Sequence, residues 1–587
     1  MSSPTGPSLI GRATELDRLV AAAGLDTSPA GSGLVVLSGE AGIGKTRLLA
    51  ALAERAERVG RRVAIGQCVD LADSPLPYLP FLEIFTRLVD PGEVDRVIAA
   101  HPALAPLVGR RDSSQIDRGA LIESTWSVLN EAAGSRPLLV IVEDVHWADQ
   151  SSLELISYLL ARPCPAPVSL VISYRSDDLR RDHPLRPVLA GWMRRRGVTR
   201  IELAPLAVAA VRELAGGLTG RELTPEQARR LAARAGGNAF FVEELVTAGN
   251  DPDDLPADLA EVLLLRLERL GRAAQRIVRA AAVAGHPVSY DLLRQVTGAP
   301  TDELDAALRD ATEHRLLVIT EDDRFAFRHA LLAEAIYRDQ LPGERVRLHQ
   351  AYVDALAGAG AAGHRFGAGA AELARHALAA GDHERALPAS IRAAEAAEAS
   401  AGPAEALRHY EVALRLARDP GSAGRPAPGV NPAELAARAG DCALAAGRAD
   451  RAESILRAAL RNEPAPPERA QLLYGLATTG LLTDRPDVAI AATAEALELI
   501  PAEPTVIRAR LLATRVLALV APGDRNEEAE QLLDEAADLA RRFERPDALV
   551  AVRAAQAWLA PPEADPVAVR ARLREAAAAA RARNDPA

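Results

Sequence analysis

The stretch Gly39-Glu-Ala-Gly-Ile-Gly-Lys-Thr46 decides how the rest of this 587-residue chain is read. It holds the chain's only lysine: Lys and Arg together number 69, and every other one is arginine. A bias toward arginine explains an Arg-rich surface, but not why Lys45 is spared. The spacing Gly39-x-x-x-x-Gly44-Lys45-Thr46 supplies a reason. Glycines let backbone N–H groups turn inward around phosphates, the lysine reaches the β- and γ-phosphates, and the hydroxyl binds Mg2+. A compact ammonium on a thin stem enters such a loop where a broad planar guanidinium does not fit. The flanks agree, since Leu34–Ser38 reads as a buried strand and Arg47–Arg58 as a helix. The pattern therefore predicts a nucleotide site.

Composition sets the bounds. Hydrophobic residues at 49% with 25% charged describe a globular chain, and aromatics at only 3% favour helices over sheets. The length allows roughly three to five domains. A net charge of −11 offers nucleic acid no bulk attraction. Cys68, Cys164 and Cys442 lie far apart with no ligand-like spacing to histidines, which argues against a disulfide framework or a zinc site. The opening Met-Ser-Ser-Pro-Thr-Gly-Pro-Ser lacks a basic region and an apolar run, and no apolar segment reaches membrane-spanning length. A cytoplasmic protein without a membrane partner is expected, where ATP and reducing conditions are found.

Five segments follow from the pattern. Residues 1–30 form an N-terminal segment. Residues 31–200 alternate strand-like runs with amphipathic stretches, predicting an α/β nucleotide-binding domain with a parallel sheet flanked by helices. Its clearest strands after the first are Arg62–Gly66, Pro137–Val142 and Val168–Tyr174, each ending where polar residues begin. Ligands of open α/β sheets bind beyond such ends. Residues 201–252 read as a small helical domain. Residues 253–345 read as helices followed by two strands joined at Asp322-Asp323, the pattern of a winged helix. Residues 346–587 are helical and Ala-rich, with similar units at Gly447–Ala452, Asp484–Ala489 and Asp524–Ala529. Their alanines stand 37 and 40 residues apart, near the period of about 34 for tetratricopeptide helix pairs. A stacked array with a concave face is expected.

A nucleotide site needs a metal and, for hydrolysis, a positioned water. Glu143 and Asp144 follow the apolar run Leu138–Val142, an arrangement in which one carboxylate holds Mg2+ and the other orients the water. Glu stands where many such sites have Asp, so the division of labour between the two stays open. Thr46 completes the metal set, and Lys45, Glu143 and Asp144 the catalytic one. Arg175 follows the strand Val168–Tyr174 and is placed to reach a terminal phosphate, although one arginine in so Arg-rich a chain is a weak signal alone. His329 sits at a strand-to-helix junction, where histidine is more often structural than catalytic.

In order, Leu9–Arg12, Gly39–Thr46, Val142–Asp149, Ser173–Arg175, Gly237–Phe241 and Phe327–Leu332 resemble motifs of the signal-transduction ATPases with numerous domains, in particular the large ATP-binding regulators of the LuxR type. The resemblance spans residues 8 to 345, and the helical repeats suit the same plan. It implies a switch: an inactive monomer keeps ADP buried between the nucleotide-binding domain and the winged helix, and an inducer at the repeat domain, with ATP, opens it for assembly into oligomers. It implies that Ile10, Gly11 and Arg12 line an adenine pocket, and that Gly39, Glu40, Ala41, Gly42, Ile43, Gly44, Lys45, Thr46 and Arg47 hold the phosphates. Arg175 would sense the γ-phosphate and His329 would touch the β-phosphate. Ala239 stands where the family's nucleotide-packing proline is usual. Slow ATP hydrolysis, with Mg2+, would reset the switch.

The hairpin tip carries Glu321, Asp322 and Asp323, and the helix before it Asp302, Glu303, Asp305, Asp310 and Glu313. Carboxylates there repel DNA phosphates, so this domain reads as an internal lid. No helix-turn-helix segment is found before Ala587. DNA would be reached only through a missing C-terminal domain, the chain stopping within its repeats, or through a partner. Two competing readings are an ATP-driven protein remodeller and a nucleotide-dependent scaffold. The inducer's class, whether small molecule, peptide or protein, is not encoded in a recognisable way.

Overall fold

A computed structural model describes residues 9–26, 32–69, 76–89, 92–108, 118–162, 165–179, 183–248, 264, 266–320, 322–328, 330–358, 368–418, 430–520, 527–543 and 552–556. The predicted parallel sheet is present. Its strands are β1 (Leu34–Gly39), β2 (Arg62–Gln67), β3 (Leu138–Glu143), β4 (Val168–Arg175) and β5 (Val198–Glu202), in the order β2-β3-β4-β1-β5, all parallel. Alternate residues serve opposite faces. Val36, Val140, Val142, Leu170 and Ile172 pack with Phe81, Phe85 and Trp192, while Val35, Leu37, Ile141 and Val171 pack with Leu48, Leu49 and Leu52. The helices on these faces are α1 (Ala13–Ala22), α2 (Lys45–Arg58), α3 (Leu79–Leu88), α4 (Val94–Ala100), α5 (Arg118–Ser135), α6 (Gln150–Ala161) and α7 (Leu185–Met193).

The sequence reading placed the start of α2 at Arg47, and the helix begins at Lys45, because Gly44 turns in the left-handed region at φ 106° and carries the chain straight into it. β5 was not foreseen. Only Ile201 of it is buried, so its run Val-Thr-Arg-Ile-Glu lacks the apolar density of the inner strands.

Three helices follow, α8 (Val208–Thr219), α9 (Pro225–Arg234) and α10 (Ala239–Ala248), closed around Val211, Leu214, Leu231 and Val242. Thr224 and Gln227 form a reciprocal capping box at the start of α9, satisfying two otherwise orphaned backbone donors. Beyond them, helices Arg272–Ala284, Tyr290–Thr297 and Thr301–Glu313 pack on a small antiparallel sheet of β6 (Val288–Ser289), β8 (Arg324–Phe327) and β7 (Leu317–Ile319), in that order. Asp323, at φ 55°, turns the hairpin and donates its N–H to the Thr320 carbonyl.

The rest is paired helices. Pro432–Ala445 packs on Ala449–Leu460, Pro466–Leu482 on Pro486–Leu499, and Val506–Val520 on Glu527–Arg542. Ala452, Ala489 and Ala529, the residues that revealed the period, are each fully buried on the second helix of a pair. A fourth instance passed unread: Gly381-Asp-His-Glu-Arg-Ala386 opens the second helix of the pair Ala368–Ala380 and His383–Ala399, with Ala386 buried in the same way. The Gly/Pro-rich stretch 419–429 and the final residues lie outside the described residues. Among the described residues, no helix is long and apolar enough to cross a membrane.

Candidate functional site

The carboxyl ends of β1, β3 and β4 meet at one place. Register sets Gly39 beside Arg175 across β1 and β4, and the β3 end delivers Glu143 and Asp144. Lys45 is buried and donates from Nζ to the carbonyls of Gly39 and Glu40, both at 2.8 Å. Burial lowers its pKa to about 8, against the opposing pull of Asp144. The loop glycines are needed where they stand. Gly42 has φ 78°, and a Cβ there would lie 2.8 Å from the Phe240 Cβ and 2.9 Å from Asn238 Oδ1.

The acidic pair is split by environment. Glu143 is buried, which raises its pKa to about 7, while the Thr46 side chain favours the charged form. Its Oε2 has no hydrogen-bond partner among the described residues. Asp144 takes the left-handed conformation at φ 56°, uncommon for a non-glycine residue, and its N–H donates to Ser173 Oγ at 3.2 Å. That turn aims its carboxylate toward Arg175, Oδ1 to Nε being 4.0 Å. Arg175 is itself buried, with its guanidinium 4.3 Å above the Trp147 ring and Nη1 3.6 Å from Asp178. His146 lies 3.3 Å from the same Asp178 carboxylate, the main reason its pKa is held below the usual value. Trp147, His146 and Asp178 thus form a socket for Arg175 that sequence reasoning had not assigned.

Arg12 is buried, donating to the Ile43 carbonyl at 3.2 Å and pairing with Glu15 at 2.9 Å. Gly11 has φ 66°, and a Cβ would stand 2.4 Å from the Ala210 Cβ. Ile10 packs on the core of α8–α10. Residues 10–12 therefore stitch the phosphate loop to the three-helix unit. Ala239 also packs in that unit, and the residues on either side of it reach the loop instead. Asn238 Nδ2 donates to the Ala41 carbonyl at 2.8 Å, and the Phe240 N–H to the Gly42 carbonyl at 3.1 Å. Phe240 belongs to the core of the following unit, with Ile277, Val278 and Leu293. Arg47 pairs with Glu243 at 3.2 Å, and Arg328 lies 4.0 Å from that carboxylate's other oxygen. His329 lies outside the described residues.

The residues present suit a phosphate chain with a divalent cation. Among the described residues α2 begins with no side-chain cap, which leaves its first amides to an anion, and the buried Glu143 Oε2 meets no donor. Thr46 and Glu143 would hold the cation, and Lys45 with backbone amides of the loop Gly39–Thr46 the phosphates.

The repeat array touches the other end of the acidic segment. Asp149 caps α6, accepting from the Ser152 N–H at 2.7 Å, and Glu405 of helix Pro403–Arg418 accepts from the amides of Gln150 at 2.9 Å and Ser151 at 3.4 Å and from Ser151 Oγ at 2.7 Å. Both carboxylates are buried. Burial first and Glu405 second push the Asp149 pKa up to about 7. Tyr78 adds a bond from its hydroxyl to the Ala401 carbonyl at 3.2 Å.

Residues 8–172 match the family described as AAA ATPase domain, so the stretch containing the phosphate loop and the acidic pair carries that domain's pattern. An uncharacterized protein of Rhizobium meliloti (strain 1021) is 28% identical over 434 residues, 66% of this chain and 41% of the relative. The chain thus spans about two fifths of that relative's length. Among solved structures, the chain is similar to a Signal Transduction ATPase with Numerous Domains protein with a tetratricopeptide repeat sensor from Pyrococcus horikoshii, at 14% identity over 95% of this chain and 80% of that one, TM-score 0.45. It is also similar to the ORC1 protein of Aeropyrum pernix in complex with DNA, at 16% identity over 57% of this chain and 95% of that one, TM-score 0.28.

Proposed function

We propose that the chain is a nucleotide-gated switch of the signal-transduction ATPase kind, closed with ADP and open for self-assembly with ATP. The observation that carries this reading is the double hold on the phosphate loop. Its carbonyls at Ala41 and Gly42 are bound by Asn238 and Phe240, and Phe240 is a core residue of the unit formed by residues 264–352. Moving that unit must disturb the loop, and a nucleotide that reshapes the loop must strain that unit. A ligand shifts such an equilibrium only through different affinities for the two states, and one extra phosphate with its cation supplies the difference.

In this reading the unit of residues 264–352 is a winged-helix lid, and the resemblance gives His329 the contact to the β-phosphate. Bound ATP supplies the phosphoanhydride to be hydrolysed. Thr46 and Glu143 hold Mg2+, Lys45 balances phosphate charge, Asp144 orients water and Arg175 reports the terminal phosphate. Hydrolysis is slow and acts as a timer. The helix pairs are the sensor for an inducer, and Glu405 at the N-terminus of α6 carries docking of the array to the segment Asp144–Asp149. We further propose, from the resemblance, that the output is LuxR-type control of transcription, with DNA read by a segment or partner other than the acidic lid. Native mass spectrometry with Mg·ADP and with Mg·ATP tests the switch. A monomer with ADP and a larger assembly with ATP are expected; turnover well above one per second stimulated by a client protein would favour a remodelling enzyme instead.

A further inference from the structure

The segment after β4 folds back over the phosphate loop. The Ser176 N–H donates to the Gly39 carbonyl at 3.2 Å, and both carboxylate oxygens of Asp177 face the Ala41 N–H, at 3.1 and 3.3 Å. The β1–β4 register places Arg175 beside Gly39, two residues before this amide, and the loop runs on from Ala41 to the uncapped start of α2. Backbone amides of such a loop serve phosphate oxygens. Here one of them already serves an anion that belongs to the chain. Lys45 is similarly occupied internally, by the Gly39 and Glu40 carbonyls, and Asp177 is among the carboxylates whose charge raises the lysine's pKa.

We infer that Asp177 is a specificity-determining residue that stands in for the outermost phosphate, so that a nucleoside triphosphate must displace it from the Ala41 amide and a nucleoside diphosphate need not. The assignment rests on the nucleotide reading above and deepens it. Two negative groups cannot share one amide and one lysine without repulsion, so the carboxylate biases the closed loop toward the shorter phosphate chain. Asp177 is exposed, and solvent screening limits the effect. The same exposure makes its substitution harmless to the core.

The test is calorimetric titration of the full chain with Mg·ADP and Mg·ATP, in wild type and in Asp177→Asn and Asp177→Ala. Asparagine keeps an acceptor for the amide and removes the charge; alanine removes both. Each variant should bind ATP about fivefold more tightly, from a surface-charge interaction of about 1 kcal/mol, while ADP affinity stays within about twofold. An unchanged ATP-to-ADP ratio, or equal changes for both nucleotides, would overturn the assignment while leaving the nucleotide site intact. Binding of neither nucleotide by wild type would overturn the nucleotide reading itself, and this assignment with it.

Discussion

Substituting Glu405 by alanine removes the carboxylate that the repeat array presses against the start of α6. Three donors lose their acceptor: the amides of Gln150 and Ser151 and the Ser151 hydroxyl. Hydrogen bonds to a charged group contribute about 1.5–3 kcal/mol each, and an anion at a helix N-terminus about 0.3–1 kcal/mol more. Relief of repulsion with Asp149, and water reaching the freed donors, offset most of that sum. A net loss of about 2 kcal/mol is expected, shifting the docked-to-undocked ratio roughly thirty-fold. Hydrogen exchange read by mass spectrometry checks it. The peptides covering Gln150–Leu153 and Pro403–Leu407 should exchange up to thirty-fold faster in Glu405→Ala, while β1, β3 and β4 keep their protection. Unchanged exchange at both peptides would show that this contact does not hold the array, and the coupling route would fail.

Other perturbations have equally definite outcomes. Lys45→Ala should abolish nucleotide binding, and Lys45→Arg should impair it severely, since the ammonium sits buried between two loop carbonyls with no room for a planar fork; calorimetry showing normal affinity for the arginine variant would defeat the steric argument. Burial first and the Glu405 charge second push the Asp149 pKa up, and undocking removes the Glu405 part, so the docked state binds this proton more tightly than the undocked one. Docking should therefore weaken as the pH rises toward about 7 and lose this contribution above it. X-ray scattering between pH 5.5 and 8 should show expansion that Glu405→Gln flattens, and a wild-type profile without slope would contradict it. Gly11→Ala combines φ 66° with a 2.4 Å contact to Ala210, and should lower stability by roughly 1–3 kcal/mol in urea unfolding; no change would mean that residues 10–12 do not bind α8.

Much of this architecture was readable because strong local signals coincided. Burial on both faces of β1 and β3 is written in continuous Val, Leu and Ile runs, and the phosphate loop can follow only a strand and precede a helix. Lys45, Glu143, Asp144 and Arg175 converge because they stand at the ends of neighbouring parallel strands, which the strand readings already implied. Contacts made by loops and distant helices were another matter. Asp177 lies two residues past an assigned arginine, yet nothing local says that its carboxylate turns back onto Ala41. Analogy of position singles out Ala239, whereas Asn238 carries the hydrogen-bonding side chain and Phe240 the bridge into the next core. Glu405 meets Gln150 across 255 residues, and in the sequence it is one acid in an Ala-rich helix.

A switch of this design requires the phosphate loop to be gripped differently in the two nucleotide states. Hydrogen exchange of one wild-type preparation, saturated first with Mg·ADP and then with a non-hydrolysable Mg·ATP analogue, addresses this at the amides of Gly42–Lys45 and Asn238–Val242. Greater protection of Asn238–Val242 with ADP than with the triphosphate is the predicted result. Identical protection in both states, with both ligands bound, would mean that the added phosphate is not felt by the clamp and that the protein is no switch of this design.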